Sequence, residues 1–463
     1  MSHQDQEGRK CRFNAEYLKR ALQWLLRSVT WSSVACRSDC SWAVPQLVAA
    51  ALVWAWSDEL TLADRFRTAR KIIQFLFAPQ QEPATSYQAF VKLLRRWTGE
   101  LVRLLQSGLR QLLPRVLADR WRLYGFVVFG VDGSRIELPR TKSHEGVYAP
   151  TKKSRARRRT RHRRNASHRK QSSGPQMWLT TVWHAGTGLP WDWRLGPADS
   201  SERQHWLEML PQLPADALVA ADAGFVGYEY ARAVIESGRQ LLLRVGSHVR
   251  LLKHLGHARE RQGLVYLWPV RAAQQRLLPL VLRLVVVHNG KHPVYLVTSV
   301  LSERRLSEQQ VIELYRRRWG IELFYRHLKQ TFQRRKLRSA SADNARVEME
   351  WSLVGLWAMG LYAQVELARD HVPPEKISVA QVLRAFRRML RDYRHPVEPG
   401  ESLCSRLRRA LIDDYVRGNK TSRHYPRKKQ ESPPGPPQIV AATRAQIQLA
   451  RELRADHQKR LSA

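Results

Sequence analysis

Cysteine is scarce: Cys11, Cys36, Cys40 and Cys404 are the only four in 463 residues. Cys36 and Cys40 have no second ligand pair nearby, which argues against a structural zinc and for free thiols in a reducing compartment. Long apolar runs are also missing. The longest, Val44 to Trp56, contains Pro45 and Gln46 and falls short of the roughly 20 residues that a bilayer-spanning helix needs. The N-terminal MSHQDQEGRK is polar and shows no signal-peptide pattern. The expectation is a soluble, cytoplasmic protein with no membrane contact. Acid is the third shortage. Asp and Glu total 40 against 79 Lys and Arg, for a net charge of +39. Such a field attracts polyanions, and nucleic acid is the usual partner. An anionic membrane surface is the competing reading, but no lone basic amphipathic helix dominates the chain. The segment 151–170, TKKSRARRRTRHRRNASHRK, holds eleven Lys or Arg and no acid. Most of the excess charge lies elsewhere, so the basicity is spread along the chain.

What is present divides the chain by texture. With 43% hydrophobic residues the chain is long enough for two or three domains with real cores. Residues 1–120 repeat apolar positions at three- and four-residue spacing with Arg and Lys between, as in YQAFVKLLRRWTGELVRLLQSGL. This predicts a helical N-terminal region. It is read as a DNA-binding domain, with a purely packing role as the alternative, since no helix-turn-helix signature separates the two. Over 121–246 short apolar runs (YGFVVFGVDG, MWLTTVWH, WDWRLG, DALVAADAGF, QLLLRVG) alternate with the helical patterns SERQHWLEMLPQL and GYEYARAVIESG, the texture of an α/β core. Residues 247–301 are β-rich, with Asn289-Gly290 as a hairpin turn signal. Residues 302–345 contain SEQQVIELYRRRWGIELFYRHLKQTF, read as one long helix capped by Ser307. Residues 346–415 are helical. Within 416–463, a basic, proline-rich linker (416–437) precedes a terminal helix.

Strand ends and the long helix carry the candidate chemistry. Asp132 and Asp222 each follow an apolar strand and stand near a glycine, Gly133 and Gly224. Ligands in α/β sheets bind beyond the carboxyl ends of strands. Acids delivered at adjacent strand ends would meet at one spot, although Asp also starts turns and caps helices. Tyr315, Arg318, Glu322 and Lys329 stand at offsets of 0, 3, 7 and 14, which at about 100° per residue puts them on one helical stripe roughly 60° wide. Such a stripe brings a carboxylate to a metal with cations on both sides for phosphates, or is a solvated charged face. Clustered carboxylates are what metal-assisted phosphodiester cleavage requires.

The spacing Y-x2-R-x3-E-x6-K, occupied here by Tyr315, Arg318, Glu322 and Lys329, resembles the signature of bacterial insertion-sequence transposases of the insertion sequence 4 group. VDGSRIELPRT, with Asp132, looks like that group's first acidic motif, and DAGF at 222–225 like its second. The resemblance covers about residues 123–345. It implies an α/β fold with an RNase H-like catalytic core, a β-rich insertion and flanking helical N- and C-terminal regions. It implies Asp132, Asp222 and Glu322 as catalytic, metal-holding residues, with Mg²⁺ as the ion and Mn²⁺ as a substitute. It implies contacts to the DNA end from Tyr315, Arg318 and Lys329. The double-stranded substrates would be transposon ends with terminal inverted repeats and target DNA, cut and joined by a homodimer in a synaptic complex at the nucleoid. Water would free a 3′-OH, and that hydroxyl would then attack another strand. A catalytically inactive relic and an RNase H-like host nuclease are the alternatives.

Other residues are more ambiguous. Arg244 reaches a phosphate or is a surface residue. Trp268 stacks on a base displaced from the duplex or packs in the core. Asp192, Asp199 and Glu202 read as strand end, turn and helix N-terminus, and His184 and His205 as structural. The run 151–170 is a phosphate-binding loop or an insertion without chemical role.

Overall fold

A computed structural model describes residues 16–34, 41–77, 85–150, 174–289, 292–392, 401–413 and 435–462. The basic run 151–170, Gly290 of the hairpin signal, nearly all of the linker, and Cys11, Cys36 and Cys40 lie outside these residues.

Ten strands form one sheet in the order β10-β6-β7-β8-β9-β5-β4-β1-β2-β3. The half that positions the site is β1 (Val127–Glu137), β2 (Gln176–His184), β3 (Leu189–Gly196), β4 (Ala217–Ala221) and β5 (Gln240–Val245). β1, β2 and β3 are antiparallel neighbours, while β4 and β5 run parallel to β1. This is the RNase H-like arrangement, antiparallel meander first and parallel crossovers after. The strands between 247 and 301 do not form a sheet of their own. β6 (Arg250–Lys253), β7 (Leu264–Leu267), β8 (Leu280–Asn289) and β9 (His292–Thr298) continue the core sheet, because β9 pairs antiparallel with β5. A strand that the sequence reading did not anticipate, β10 (Gln438–Ala441), pairs parallel with β6 and covers that edge.

Strand alternation sends side chains to two faces and makes two cores. On one face Val128, Ile136, Leu179 and Trp183 join the N-terminal helices: α1 (16–27), α2 (Val44–Trp56), α3 (Leu62–Phe77) and α4 (Tyr87–Val116). On the other face Val127, Phe129, Val131 and Val182 pack with α5 (Glu202–Met209) and α6 (Tyr228–Glu236). The N-terminal helices therefore share a core with the sheet.

The long helix of the sequence reading is broken. α7 (Glu308–Arg317) ends, α8 (Gly320–Arg326) begins, and a π-helical turn covers His327–Thr331. Between α7 and α8 the amide bonds tighten to three-residue spacing, Trp319 N to Arg316 O and Glu322 N to Trp319 O, both 3.1 Å. The cause is close packing on the sheet. A Cβ at Gly320 would stand 2.1 Å from the Trp183 ring, so only glycine lets α8 approach this far. The Ser307 cap is present as a complete capping box with Gln310. Beyond it, α9 (Ala342–Ala368) is apolar on nearly every side and buries Trp351 and Trp357. It runs through the first core, and α10 (Val379–Asp392) follows. The terminal helix α11 (Arg444–Ser462) packs on the second core through Ala450 and Leu453.

Candidate active site at a notch in the sheet

Parallel pairing of β1 with β4 ends at Gly130 and Ala220. β1 then runs on past β4 to Glu137, paired with β2. A notch opens beside β1 where β4 stops. Asp132 and Asp222 each lie two residues past that last pair, at the same level on strands about 4.8 Å apart. Each carboxylate is held by a backbone amide just beyond it. Asp132 Oδ1 accepts from Gly133 N at 2.8 Å, and Asp222 Oδ1 from Gly224 N at 2.8 Å. Burial lifts the Asp132 carboxyl from 3.8 to about 6, and the charges of Asp222 and Glu322 push the same way.

Glu322 reaches the notch from α8. Two bonds tie this segment to β1: Tyr325 Oη donates to the Asp132 carbonyl at 2.6 Å, and Lys329 Nζ donates to Ser134 Oγ at 2.7 Å. The chain after the π turn then pairs Lys336 beside Glu137. Glu322 is 44% exposed and its Oε1 lies 3.7 Å from Arg318 Nη2. Burial, opposed by Arg318, raises its carboxyl above the usual range. Burial also lowers the Lys329 ammonium.

The break at Trp319 alters the predicted stripe. Tyr315 and Arg318 are 8% and 5% exposed, so they turn inward while Glu322 stays accessible. The Arg318 guanidinium lies over the Tyr315 and Trp319 rings at 5.4 and 5.3 Å, and among the described residues its Nε has no hydrogen-bond partner. Arg244 also comes to the notch. It follows the Ala221–Leu243 pair on β5, beside Asp222, and its charge acts on Tyr315. Trp268 does not. It is 3% exposed in the second core and its indole N–H donates to the Leu277 carbonyl at 2.8 Å. No ring face is left for a base, and core packing is its role. The exposed indole near the acids is Trp319, at 53%. It lines a cavity of about 640 Å³ together with Glu322, Leu323, Leu356, Met359 and Val382.

Residues 124–357, about half of the chain, match the family model described as Transposase DDE domain. The chain belongs to this family of DNA transposases. A curated relative, Transposase InsG for insertion sequence element IS4 of Escherichia coli (strain K12), is 24% identical over 328 residues, covering 68% of this chain and 70% of that one. Among solved structures, a piggyBac transposase synaptic complex with hairpin DNA aligns over 89% of this chain and 88% of that chain, with a TM-score of 0.40 and 11% identity. Among the described residues of this transposase, no helix is long and apolar enough to cross a membrane.

DDE transposases work with divalent metal ions. The donor set in the notch has the right chemistry for one. Its ligand atoms are hard carboxylate oxygens, and their mutual repulsion is the kind that a hard cation relieves. Their present spacing does not close a coordination sphere: among the described residues, no three acidic, His or Cys side chains stand close enough to hold one ion. Exposed Glu322, paired with Arg318, is the carboxylate with the freedom to turn.

The sequence reading took Glu202 as an ordinary acid at a helix N-terminus. It begins α5, on the face opposite Glu322, and packs against Gly133. Burial raises its carboxyl from 4.5 to about 7, and Asp132 and Asp222 add to the rise. An acid just after the N-cap Ser201 is ordinary in sequence terms, so no local signal set it apart. Its neighbour Arg203 clamps the second acidic turn by donating to the Gly224 and Val226 carbonyls at 2.8 and 2.9 Å. The other acids and histidines have structural partners. Asp192 is 2% exposed between Arg110 and Arg194. His184 bonds Thr187 at 2.9 Å and the Trp121 carbonyl at 3.1 Å, and His205 bonds Thr180 at 2.9 Å.

Proposed function

We propose that Asp132, Asp222 and Glu322 are the catalytic carboxylates of this transposase, and that they hold two Mg²⁺ ions, with Mn²⁺ able to substitute. The observation that supports this most directly is the delivery of Asp132 and Asp222 at one level of two adjacent parallel strands, with the Glu322 helix bonded to β1 beside them. Bound divalent ions supply activation of the attacking oxygen and stabilisation of the leaving one. The protein's own part is to fix the carboxylates and to align the scissile phosphate. Arg318, from inside the notch, and Arg244 and Lys329, from its rim, face the phosphate oxygens. Tyr315 supports Arg318.

The reaction has two displacements. Water oxygen bonds to phosphorus at the transposon end, the P–O3′ bond breaks, and the strand is left with a 3′-OH. That 3′ oxygen then bonds to phosphorus in target DNA or the opposite strand and displaces another 3′ oxygen. The substrates are terminal inverted repeats and target DNA, bound by a homodimer at the bacterial nucleoid in the cytoplasm. Trp319, in place of Trp268, is the ring offered to a base unstacked near the cut.

The test pairs a cleavage assay with a gel shift on one transposon end. Glu322→Gln should abolish cutting and leave end binding nearly intact, because phosphate contacts dominate affinity. Lys329→Ala should weaken end binding with metal dependence unchanged. Normal cutting by Glu322→Gln refutes the assignment of the third carboxylate.

A further inference from the structure

Glu202 has no role in the reading above, yet the fold makes room for it at the centre of the site. A Cβ at Gly133 would stand 2.3 Å from Glu202 Oε1, 2.7 Å from Cδ and 2.8 Å from Cγ. The whole carboxylate therefore rests on the Gly133 backbone, immediately after Asp132, and any larger residue there would displace it. Capping does not explain the contact. The N-cap of α5 is Ser201, whose hydroxyl accepts from Gln204 N at 3.3 Å. Pairing does not explain it either, since among the described residues Glu202 has no hydrogen bond or ion pair. The charges of Asp132 and Asp222 bear on it, opposed by those of Arg135 and Arg203. Across the notch, Arg318 is 95% buried, and among the described residues its Nε has no hydrogen-bond partner. A half-buried carboxylate with no hydrogen bond or ion pair among the described residues, set beside two more carboxylates with only the longer-range charges of Arg135 and Arg203 to offset them, is the arrangement that a shared cation relieves.

We propose that Glu202 is a fourth carboxylate of the active site, brought in from the sheet face opposite Glu322 and admitted by Gly133, and that it shares in holding the divalent ions. This rests on the assignment of Asp132 and Asp222. Glu322 and Glu202 then grip the notch from its two sides, so ion binding does not depend on the exposed, Arg318-paired Glu322 alone. Gly133 is required for space, because its φ is not positive and the three atoms nearest to an added Cβ all belong to the Glu202 side chain.

The experiment uses the full chain without DNA and Mn²⁺ alone, with free Mn²⁺ read by its aqueous paramagnetic resonance signal. Glu202→Gln should weaken Mn²⁺ binding by about tenfold or more, the range in which loss of a supporting ligand-sphere group acts. Gly133→Ala should reproduce that loss with all four acids still present, because its methyl group moves the Glu202 carboxylate. Glu202→Asp, one methylene shorter, should fall between. Asp132→Asn is the control. If it loses Mn²⁺ while Glu202→Gln binds like the parent protein, Glu202 is a bystander and the proposal is overturned. If Asp132→Asn also binds Mn²⁺ like the parent, the triad assignment itself is wrong. Should Gly133→Ala fail to fold, the Glu202 series decides by itself.

Discussion

Asp132→Asn tests whether the notch stores charge repulsion that only a cation relieves. Asn keeps the shape of the side chain, and its Oδ1 can still accept from Gly133 N as Asp132 does at 2.8 Å. Only the charge is lost. In the folded protein burial lifts the Asp132 carboxyl from 3.8 to about 6. A rise of about 2 units corresponds to about 3 kcal/mol at most. The sign follows from proton binding. Between these two values the folded chain holds a proton that the unfolded chain has lost, so stability falls as pH rises through the window. Well below 3.8 the residue is protonated in both states and contributes nothing. Above about 6 the whole penalty is present. In EDTA at pH 8, Asp132→Asn should therefore melt a few degrees above the parent protein, taking about 2–4 °C per kcal/mol as an upper guide for so long a chain. At pH 4 most of that difference should be gone. Added Mg²⁺ should raise the parent's midpoint at pH 8 and leave the variant's nearly unchanged, because a ligand stabilises the state that binds it. Thermal denaturation followed by far-UV circular dichroism reads all of this. A variant no more stable than the parent at pH 8, or a difference as large at pH 4 as at pH 8, would refute the reasoning.

Three further outcomes follow from other parts of the molecule. Gly320→Ala brings a methyl group to 2.1 Å from the Trp183 ring. It should push α8 off the sheet and reduce strand cleavage by at least about tenfold through loss of alignment, while the protein, checked by circular dichroism, stays folded. Deleting 151–170 removes eleven basic residues. If the run contacts DNA, the slope of log affinity against log salt should flatten, and an unchanged slope in a fluorescence-anisotropy titration makes the run a bystander. Trp319→Ala should reduce the fluorescence change of 2-aminopurine placed at the transposon end, whereas Trp268→Phe should not, and the opposite result would return the stacking role to Trp268.

Features set by neighbours in the chain were legible in the sequence. The apolar runs that lead to Asp132 and Asp222 mark buried strands that deliver an acid, because strand burial is read from a local pattern. Ser307 caps its helix through Gln310 three residues on, and that spacing can be read directly. The excess of Lys and Arg fixes the sign of the field in any fold. The order Asp132, Asp222, Glu322 was visible for the same reason, since each residue carries a short motif around it. The break between α7 and α8 was not, because helical periodicity continues through Trp319 and only the Trp183 ring, packed on Gly320, interrupts it. That contact joins residues far apart in sequence and turns Tyr315 and Arg318 inward while leaving Glu322 exposed. Trp268 looks alike in sequence whether it is buried or free, and its place in the second core, with its indole N–H on the Leu277 carbonyl, decided it. The continuation of the core sheet through β9 and its closure by β10 depend on strand pairing between distant segments, which no local pattern encodes. Glu202 is the clearest case. In sequence it is one more acid at a helix start, and only the packing of α5 on β1, β2 and β3 brings it onto Gly133 beside Asp132.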